Sequence, residues 1–390
     1  MNRETILKEV EEIFPKVVEY RRHIHQNPEL SFQEYNTQKY IKSILQSKEI
    51  ECSEIADTGI LGLLGNPKHN DNCIALRADI DALPIIENTG LEFSSKNNGV
   101  MHACGHDMHT AMLLGASLIL KKHEESLEKR IKLFFQPGEE KIPGGASLMI
   151  KDGALENPKP RAIFGQHIYP GAEVGKVLTK EGPVMAAADE LYWTINGKST
   201  HAAQPQLGHD PILCASTLIQ QYQNMITKYR DPLKAGVLNV TSIHGGNATN
   251  VIPDQVEMMG TFRSFDNSWR QMMHSKLTEI TKSVGDIYGC DIDFEIKKGY
   301  PPVINDQALS EEIKSKAVEM FSENRYSDFE PKMWGEDFGY YSQAGPSVFW
   351  FIGVRPKDET DMPALHNSKL NPDEEAMKTG MAMMLSVCFD

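Results

Sequence analysis

An α/β fold is the expectation for this 390-residue chain: a three-layer domain built around a mixed sheet and interrupted by an inserted βαββαβ unit of ferredoxin-like topology. Three observations lead there. Short apolar runs bounded by glycine, proline or charge recur along the chain, as expected of strands buried on both faces. Segments of helical periodicity alternate with them, which argues for helices layered on a sheet. Between about Asp189 and Tyr300 the rhythm changes to strand, helix, strand, strand, helix, strand.

Residues 3–26 and 32–48 repeat apolar side chains at helical spacing, and Asn27-Pro28-Glu29 separates them because proline does not continue a helix. Ile60–Leu64, Cys73–Arg77, Ile131–Phe135, Ala162–Gly165 and Val348–Ile352 are strand candidates, with helices at His109–Lys122 and Ser310–Phe321. The insertion reads as strand Glu190–Asn196, helix Pro211–Lys228, strands Val237–His244 and Gln255–Arg263, helix Ser268–Ile287 and strand Cys290–Lys297. Asp210 can cap the first of these helices and Pro211 fits its first turn, after which Ile212, Ala215, Ile219, Tyr222 and Ile226 step by three and four. Asp266 can cap the second, whose apolar face is expected to hold Trp269, Met273, Leu277, Ile280, Val284 and Ile287. The domains expected are therefore 1–187, an insertion over 188–299, and a return to the first domain over 300–390.

Composition narrows the partners. An apolar fraction of 40% and a charged fraction of 24% are ordinary for a globular protein. A formal net charge of -14 leaves no basic stripe to replace counterions on phosphates, which argues against nucleic acid. The same acidity repels anions, so a carboxylate-bearing substrate needs a local polar or positive anchor. Six scattered cysteines without a framework read as reduced thiols. The amino-terminal stretch lacks an apolar signal core, and the longest apolar runs, near 112–120 and 348–354, are too short to cross a bilayer. A cytoplasmic protein without a membrane partner is the expectation.

Chemistry concentrates in His102-Ala103-Cys104-Gly105-His106-Asp107-Met108-His109, which packs a thiol, imidazoles and a carboxylate into one short stretch. Thiolate and imidazole suit zinc and its first-row neighbours, and Cys104 and His106 can point the same way from an extended or looped backbone. Two donors do not close a site. The suppliers of the rest are Glu139 and Glu140, which follow a strand-like run where α/β proteins build sites, then His167 and His366. Hydrolysis at a metal needs one carboxylate to bind and another to shuttle protons, and this adjacent pair can supply both. Asp79 and Asp81 follow another strand and can orient a metal-bound imidazole. Taken singly, each of these residues has an ordinary alternative as a loop acid or a hydrogen-bonded histidine, and so do His102 and His109.

The residues together resemble a known family over essentially the whole chain. The matching segments are Arg22-His23-Ile24-His25-Gln26-Asn27-Pro28-Glu29-Leu30, Leu76-Arg77-Ala78-Asp79-Ile80-Asp81-Ala82-Leu83-Pro84, Met101-His102-Ala103-Cys104-Gly105-His106-Asp107, Phe135-Gln136-Pro137-Gly138-Glu139-Glu140, Gly335-Glu336-Asp337-Phe338 and His366-Asn367-Ser368. They are similar to the metal-dependent amidohydrolases that include aminoacylases, hippurate hydrolases, auxin-conjugate hydrolases and N-acetyldiaminopimelate deacetylases, relatives of the co-catalytic zinc carboxypeptidases. The resemblance implies a catalytic α/β domain and an inserted lid that mediates homodimerisation. It implies that Cys104, His106, Glu140, His167 and His366 hold two divalent metal ions (Zn, Mn, Co or Ni), with Glu139 as general base and Asp81 behind a ligand. In the insertion it implies that His201 reaches the scissile carbonyl, sometimes from a neighbouring subunit, while Asn250 and Arg263 hold the substrate carboxylate; spacing alone would read these three as turn chemistry and a solvated arginine. The implied reaction is hydrolysis of N-acyl amino acids to a carboxylate and a free amino acid.

Two departures from the family pattern stand out: Gly138 replaces the usual alanine, and Lys141-Ile142-Pro143 replaces a Gly-Pro step, so the adjoining loop is shaped for a different acyl group. Two other activities fit the same residues: a dipeptidase or carboxypeptidase with the same metals, and a metal-dependent binding protein without turnover. A thiol redox role for Cys104 lacks a nearby resolving cysteine.

Overall fold

Strands Cys73–Asp79 and Arg130–Gln136 are buried at every position, their polar residues Arg77, Asp79, Arg130, Lys132 and Gln136 included, as strands covered on both faces are. They lie at the centre of an eight-stranded mixed sheet ordered Glu51–Ile55, Gly59–Leu64, Arg130–Gln136, Cys73–Asp79, Ala162–Glu173, Ser347–Arg355, Val177–Thr179, Tyr326–Asp328. The computed structural model describes residues 1–389. By contacts they divide into two units, one formed by Met1–Val184, Ile304–Pro331 and the chain from Asp337 onward, the other by Met185–Val303 and Lys332–Glu336.

In the first unit the central strands run parallel, so their carboxyl ends share one edge. Asp79 pairs with Gln136 at that edge. The strand expected over Ala162–Gly165 continues to Glu173, because Ser347–Arg355 pairs with it along its length, so His167 lies within it. The other neighbour, Cys73–Asp79, pairs only as far as Gly165, so His167 sits just beyond that strand's cover. Helix His106–Lys122 packs against the helices Arg3–Gln26 and Ala376–Cys388 as well as the sheet, and it is apolar on almost all sides as a result.

A buried ionic network ties the first helix to the start of this one. Arg21 Nε and His25 Nδ1 both meet Asp107 Oδ2, at 3.1 and 2.9 Å, and His25 Nε2 meets Glu87 Oε1 at 3.2 Å. The residue they hold, Asp107, adjoins His106.

The second unit is a four-stranded antiparallel sheet ordered Gly236–His244, Gln255–Ser264, Ala187–Asn196, Asp291–Lys297, with helices Pro211–Tyr229 and Asn267–Tyr288 packed on it. Asp210 and Asp266 cap those helices through their side chains. Two expected core positions are exposed, Ile212 at 44% and Ile287 at 75%. Counting residues per turn, Ile212 lies roughly 120° round its helix from buried Leu218, and Ile287 roughly 80° from buried Leu277, beyond the face the sheet covers. Among the described residues, no helix is long and apolar enough to cross a membrane.

The ionic network gives stability a pH signature. Burial alone would lower the His25 pKa, but its bonds to Asp107 and Glu87 raise it from 6.5 to about 9. A raised folded-state value contributes stability that is fully present below pH ~6.5 and is lost as pH climbs through ~9, a swing on the order of 3 kcal/mol. Urea denaturation at pH 6, 8 and 10 is expected to show this loss in the wild type and a flatter profile in His25→Gln. Equal slopes in the two proteins would contradict the assignment.

Candidate metal centre

The turn between Cys104 and His106 depends on Gly105, which adopts φ 85° as the cap of helix His106–Lys122. A Cβ there would lie 2.3 Å from Ile168 Cδ1, so both its conformation and its packing call for glycine. The helix begins at once, placing His106 and His109 on adjacent turns of one face.

Hydrogen bonds then decide which nitrogen each histidine presents. His106 Nδ1 donates to Asp81, at 2.9 Å to its carbonyl and 3.1 Å to Oδ1, leaving Nε2 buried without a hydrogen-bond partner. His167 Nδ1 donates to the Ile168 carbonyl at 2.7 Å, and its Nε2 lies 3.4 Å from Cys104 Sγ. His109 is arranged the other way: its Nε2 accepts from the Ile168 N–H at 2.9 Å and its Nδ1 donates to Asp79 at 2.6 Å. Asp79, His106 and His109 also cluster tightly, but with both His109 nitrogens engaged that group has no third lone pair to offer. His102 is buried with neither ring nitrogen bonded, and burial lowers its pKa to about 4. It joins none of the compact donor groups.

The carboxylates arrive from the turn after strand Arg130–Gln136. Glu140 N–H donates to Asp81 Oδ2 at 2.9 Å, while its Oε1 is buried without a hydrogen bond and lies 3.2 Å from His366 Nε2. His366 adopts φ 64° and is pinned by its own N–H to the Ala103 carbonyl at 2.8 Å, next to Cys104. A left-handed non-glycine backbone of this kind is held only where its surroundings impose it.

Four further donor groups result, each with ligand atoms within 4.8 Å of one another: Cys104, His106 and His167; Cys104, Glu140 and His366; His106, Glu139 and Glu140; and the all-carboxylate group Glu139, Glu336 and Asp337. Cys104 belongs to the first two and so joins them. Burial, then Glu140, Glu139 and Asp79, pushes the Cys104 thiol well above its ordinary range. Burial would lower His106, yet Asp79 and Asp81 hold it up at about 10. The His106 shift, upward against burial, marks a place where positive charge is favoured. Unfilled imidazole and carboxylate lone pairs beside a thiol fit divalent cations of the zinc, manganese, cobalt and nickel group.

Support for this edge comes from residues whose part was not evident from sequence. Buried Arg77 donates to Asp79 at 2.5 Å, to Asp337 at 2.9 Å and to Gln136 at 2.9 Å. Asp337 also accepts from Gln136 at 2.8 Å and from the Ala146 N–H at 2.9 Å, and its own N–H points to Glu139 Oε1 at 3.4 Å. A charged residue inside an otherwise apolar strand was the available signal for Arg77.

The remaining candidates belong to the second unit. His201 and Val251 pair in a short ribbon, and the Asn250 carbonyl accepts the Ala202 N–H at 2.9 Å, so His201 and Asn250 are neighbours. His201 Nδ1 accepts the Ala203 N–H at 3.0 Å, which puts the proton on Nε2. Arg263 is not beside them. The ribbon joins strand Gln255–Ser264 at its start, and Arg263 lies eight residues further (255 to 263), roughly 26 Å at strand spacing. Its Nε donates to Thr261 at 3.0 Å.

Comparison with known proteins agrees on one family. The model of peptidase family M20/M25/M40 matches residues 75–390. An IAA-amino acid hydrolase ILR1-like 4 of Arabidopsis thaliana is 38% identical over 381 residues, 96% of this chain and 86% of the relative. An N-acetyl-L-cysteine deacetylase of Bacillus subtilis strain 168 is 40% identical over 350 residues, 90% of this chain and 83% of the relative. The crystal structure of the Bacillus subtilis YxeP protein, described as a dinuclear metal binding peptidase, superposes with a TM-score of 0.82 at 32% identity, covering 97% of this chain and 98% of that one.

Cys104→Ser removes the donor common to two groups, so elemental analysis is expected to find its divalent metal well below the wild-type ratio. An unchanged ratio would take Cys104 off the ligand list. Exhaustive chelation of the wild type is expected to lower Tm, and a divalent cation to restore it, because the crowded acids and thiol lose their counter-charge. An identical Tm with and without chelator would contradict the charge argument.

Proposed function

Since the chain belongs to peptidase family M20/M25/M40 and is a metal-dependent hydrolase of amide bonds, we propose that its substrates are N-acyl amino acids, cleaved to a carboxylate and a free amino acid. The observation that carries the mechanism is Glu139, 6% exposed, with its carboxylate among the His106 and Glu140 donors. We assign Cys104, His106, Glu140, His167 and His366 to hold two divalent cations. When bound, these supply Lewis acidity and make water a nucleophile near neutral pH.

The chain's own groups move the protons. Glu139 takes a proton from the attacking water and delivers it to the departing nitrogen, which is a very poor leaving group as an anion. Asp81 orients His106 through the Nδ1 bond. His201, with its Nε2 protonated, is suited to donate to the developing oxyanion and unsuited to act as a base.

Asn250 and Arg263 are assigned to the substrate carboxylate, the anchor an acidic protein needs. The spacing between the ribbon and Arg263 favours splitting these roles across two subunits, with His201 and Asn250 serving a partner's site. Exposed Ile212 and Leu213 in the second unit support a homodimer formed there. The six cysteines are all free, in keeping with a reducing, cytoplasmic setting. A dipeptidase or carboxypeptidase remains the rival, because the metals and base would be the same and only the acyl pocket differs.

Glu139→Gln is expected to keep its metal and lose kcat by roughly a thousandfold or more; full turnover in a metal-replete preparation would reject the base. His201→Ala should lower kcat by about 10²–10³-fold, the range for one oxyanion donor, and a change confined to KM would make it a binding residue. Co-expressing the two inactive variants should restore activity if His201 works across the dimer, whereas silence of the mixture would place it within its own subunit. Acetyl and benzoyl amino acids should be hydrolysed faster than dipeptides, and the reverse order would favour the peptidase.

A further inference from the structure

The turn that carries Glu139 and Glu140 is held at both ends from one short segment of the first unit, Ser31 to Glu34. Ser31 Oγ donates to Asp81 Oδ2 at 2.7 Å, and that same oxygen accepts the Glu140 N–H. Glu34 Oε1 accepts the Gly138 N–H at 2.8 Å, and its Oε2 accepts the Thr58 hydroxyl at 2.5 Å. Between these two contacts the Phe32 ring lies on the turn: Gly138 has φ 57°, and a Cβ added there would come within 2.2 Å of the ring. Phe32 itself takes φ 64°. Phe32, a non-glycine residue in the left-handed region, is held there by its surroundings.

Glu34 is a fully buried carboxyl, and none of its hydrogen-bond donors is a cation. A buried acid with two neutral donors is expensive to keep for stability alone, since an apolar side chain would fill the space without desolvation. Its distinguishing contact is with the amide immediately before the proposed base.

We propose that Glu34 is a positioning residue, which sets the Gly138–Glu140 turn by accepting the Gly138 N–H and so aims Glu139 at the reacting atoms. This rests on the assignment of Glu139 as general base. The bond fixes the turn's backbone whether the acid is ionised or neutral, because either form keeps an oxygen for Gly138. Burial, then repulsion by Asp81, raises its pKa from 4.5 to about 7, so the neutral acid is well populated at neutral pH. Glutamine reproduces that neutral form: its carbonyl oxygen can accept from Gly138 and its amide can donate to the Thr58 hydroxyl. Alanine reproduces neither contact.

Three variants of the metal-replete protein test this, with Thr58→Val as the control for general destabilisation, because it removes Glu34's other partner and leaves the bond to the turn. Glu34→Ala is expected to lower kcat by roughly 10–100-fold with KM little changed, the scale of a small misplacement of a catalytic group. Glu34→Gln should recover most of that loss, and Thr58→Val should lower Tm while keeping kcat. Hydrogen exchange of the peptide spanning 136–144, followed by mass spectrometry, should quicken in Glu34→Ala alone.

The proposal is overturned if Glu34→Ala keeps its kcat and its exchange, if Thr58→Val loses kcat as severely, or if Glu34→Gln fails to recover turnover. Failure of the base assignment would look different. Glu139→Gln would stay active, while faster exchange in Glu34→Ala would still report the loosened turn.

Discussion

A thiol, two carboxylates and the imidazoles beside them can share a buried space only if positive charge shares it too. In this chain that constraint falls at the carboxyl edge of a parallel run of strands, where Asp79, the turn bearing Glu139 and Glu140, and His167 arrive side by side. Arg77 answers part of it by pairing with Asp79 and Asp337, and these two anchor the edge. Around Cys104 the acids remain close: burial, and after it Glu140, Glu139 and Asp79, raise its thiol pKa. Divalent cations are the natural remainder, and the fold is arranged so that they have somewhere to go.

A simple rule sorts the histidines: the nitrogen that is already hydrogen-bonded fixes the chemistry of the other. His106 and His167 use Nδ1 on carbonyl or carboxylate oxygens and turn Nε2 toward Cys104 and the acids. His109 uses both nitrogens to tie Asp79 to the backbone after His167, so it orders the site without entering it. His201 accepts at Nδ1 and is left with a donor at Nε2. Residues that look interchangeable in the sequence therefore differ in which nitrogen each leaves free.

Much of the architecture was legible because burial leaves a periodic trace. Unbroken apolar runs marked the central strands, and the change of rhythm after Asp189 marked the inserted βαββαβ unit. Helix faces were read less well at their ends, where Ile212 and Ile287 continue the spacing past the sheet that would have covered them. The candidate metal donors could be named from residue type and family resemblance. Arg77, Gln136, Asp337 and Glu34 were not assigned parts, because each acts through hydrogen bonds to residues remote in the chain, and no local pattern encodes such a partner. The strand that carries His167 was read too short for a related reason: pairing with Ser347–Arg355, remote in the chain, lengthens it.

The central claim is that sulfur, nitrogen and oxygen donors converge on bound cations, with Cys104 in the inner sphere. X-ray absorption at the metal edge of the zinc-loaded protein tests it most directly. A sulfur scatterer at about 2.3 Å alongside nitrogen and oxygen at about 2.0–2.2 Å is the result this account predicts. A shell containing nitrogen and oxygen alone would contradict it.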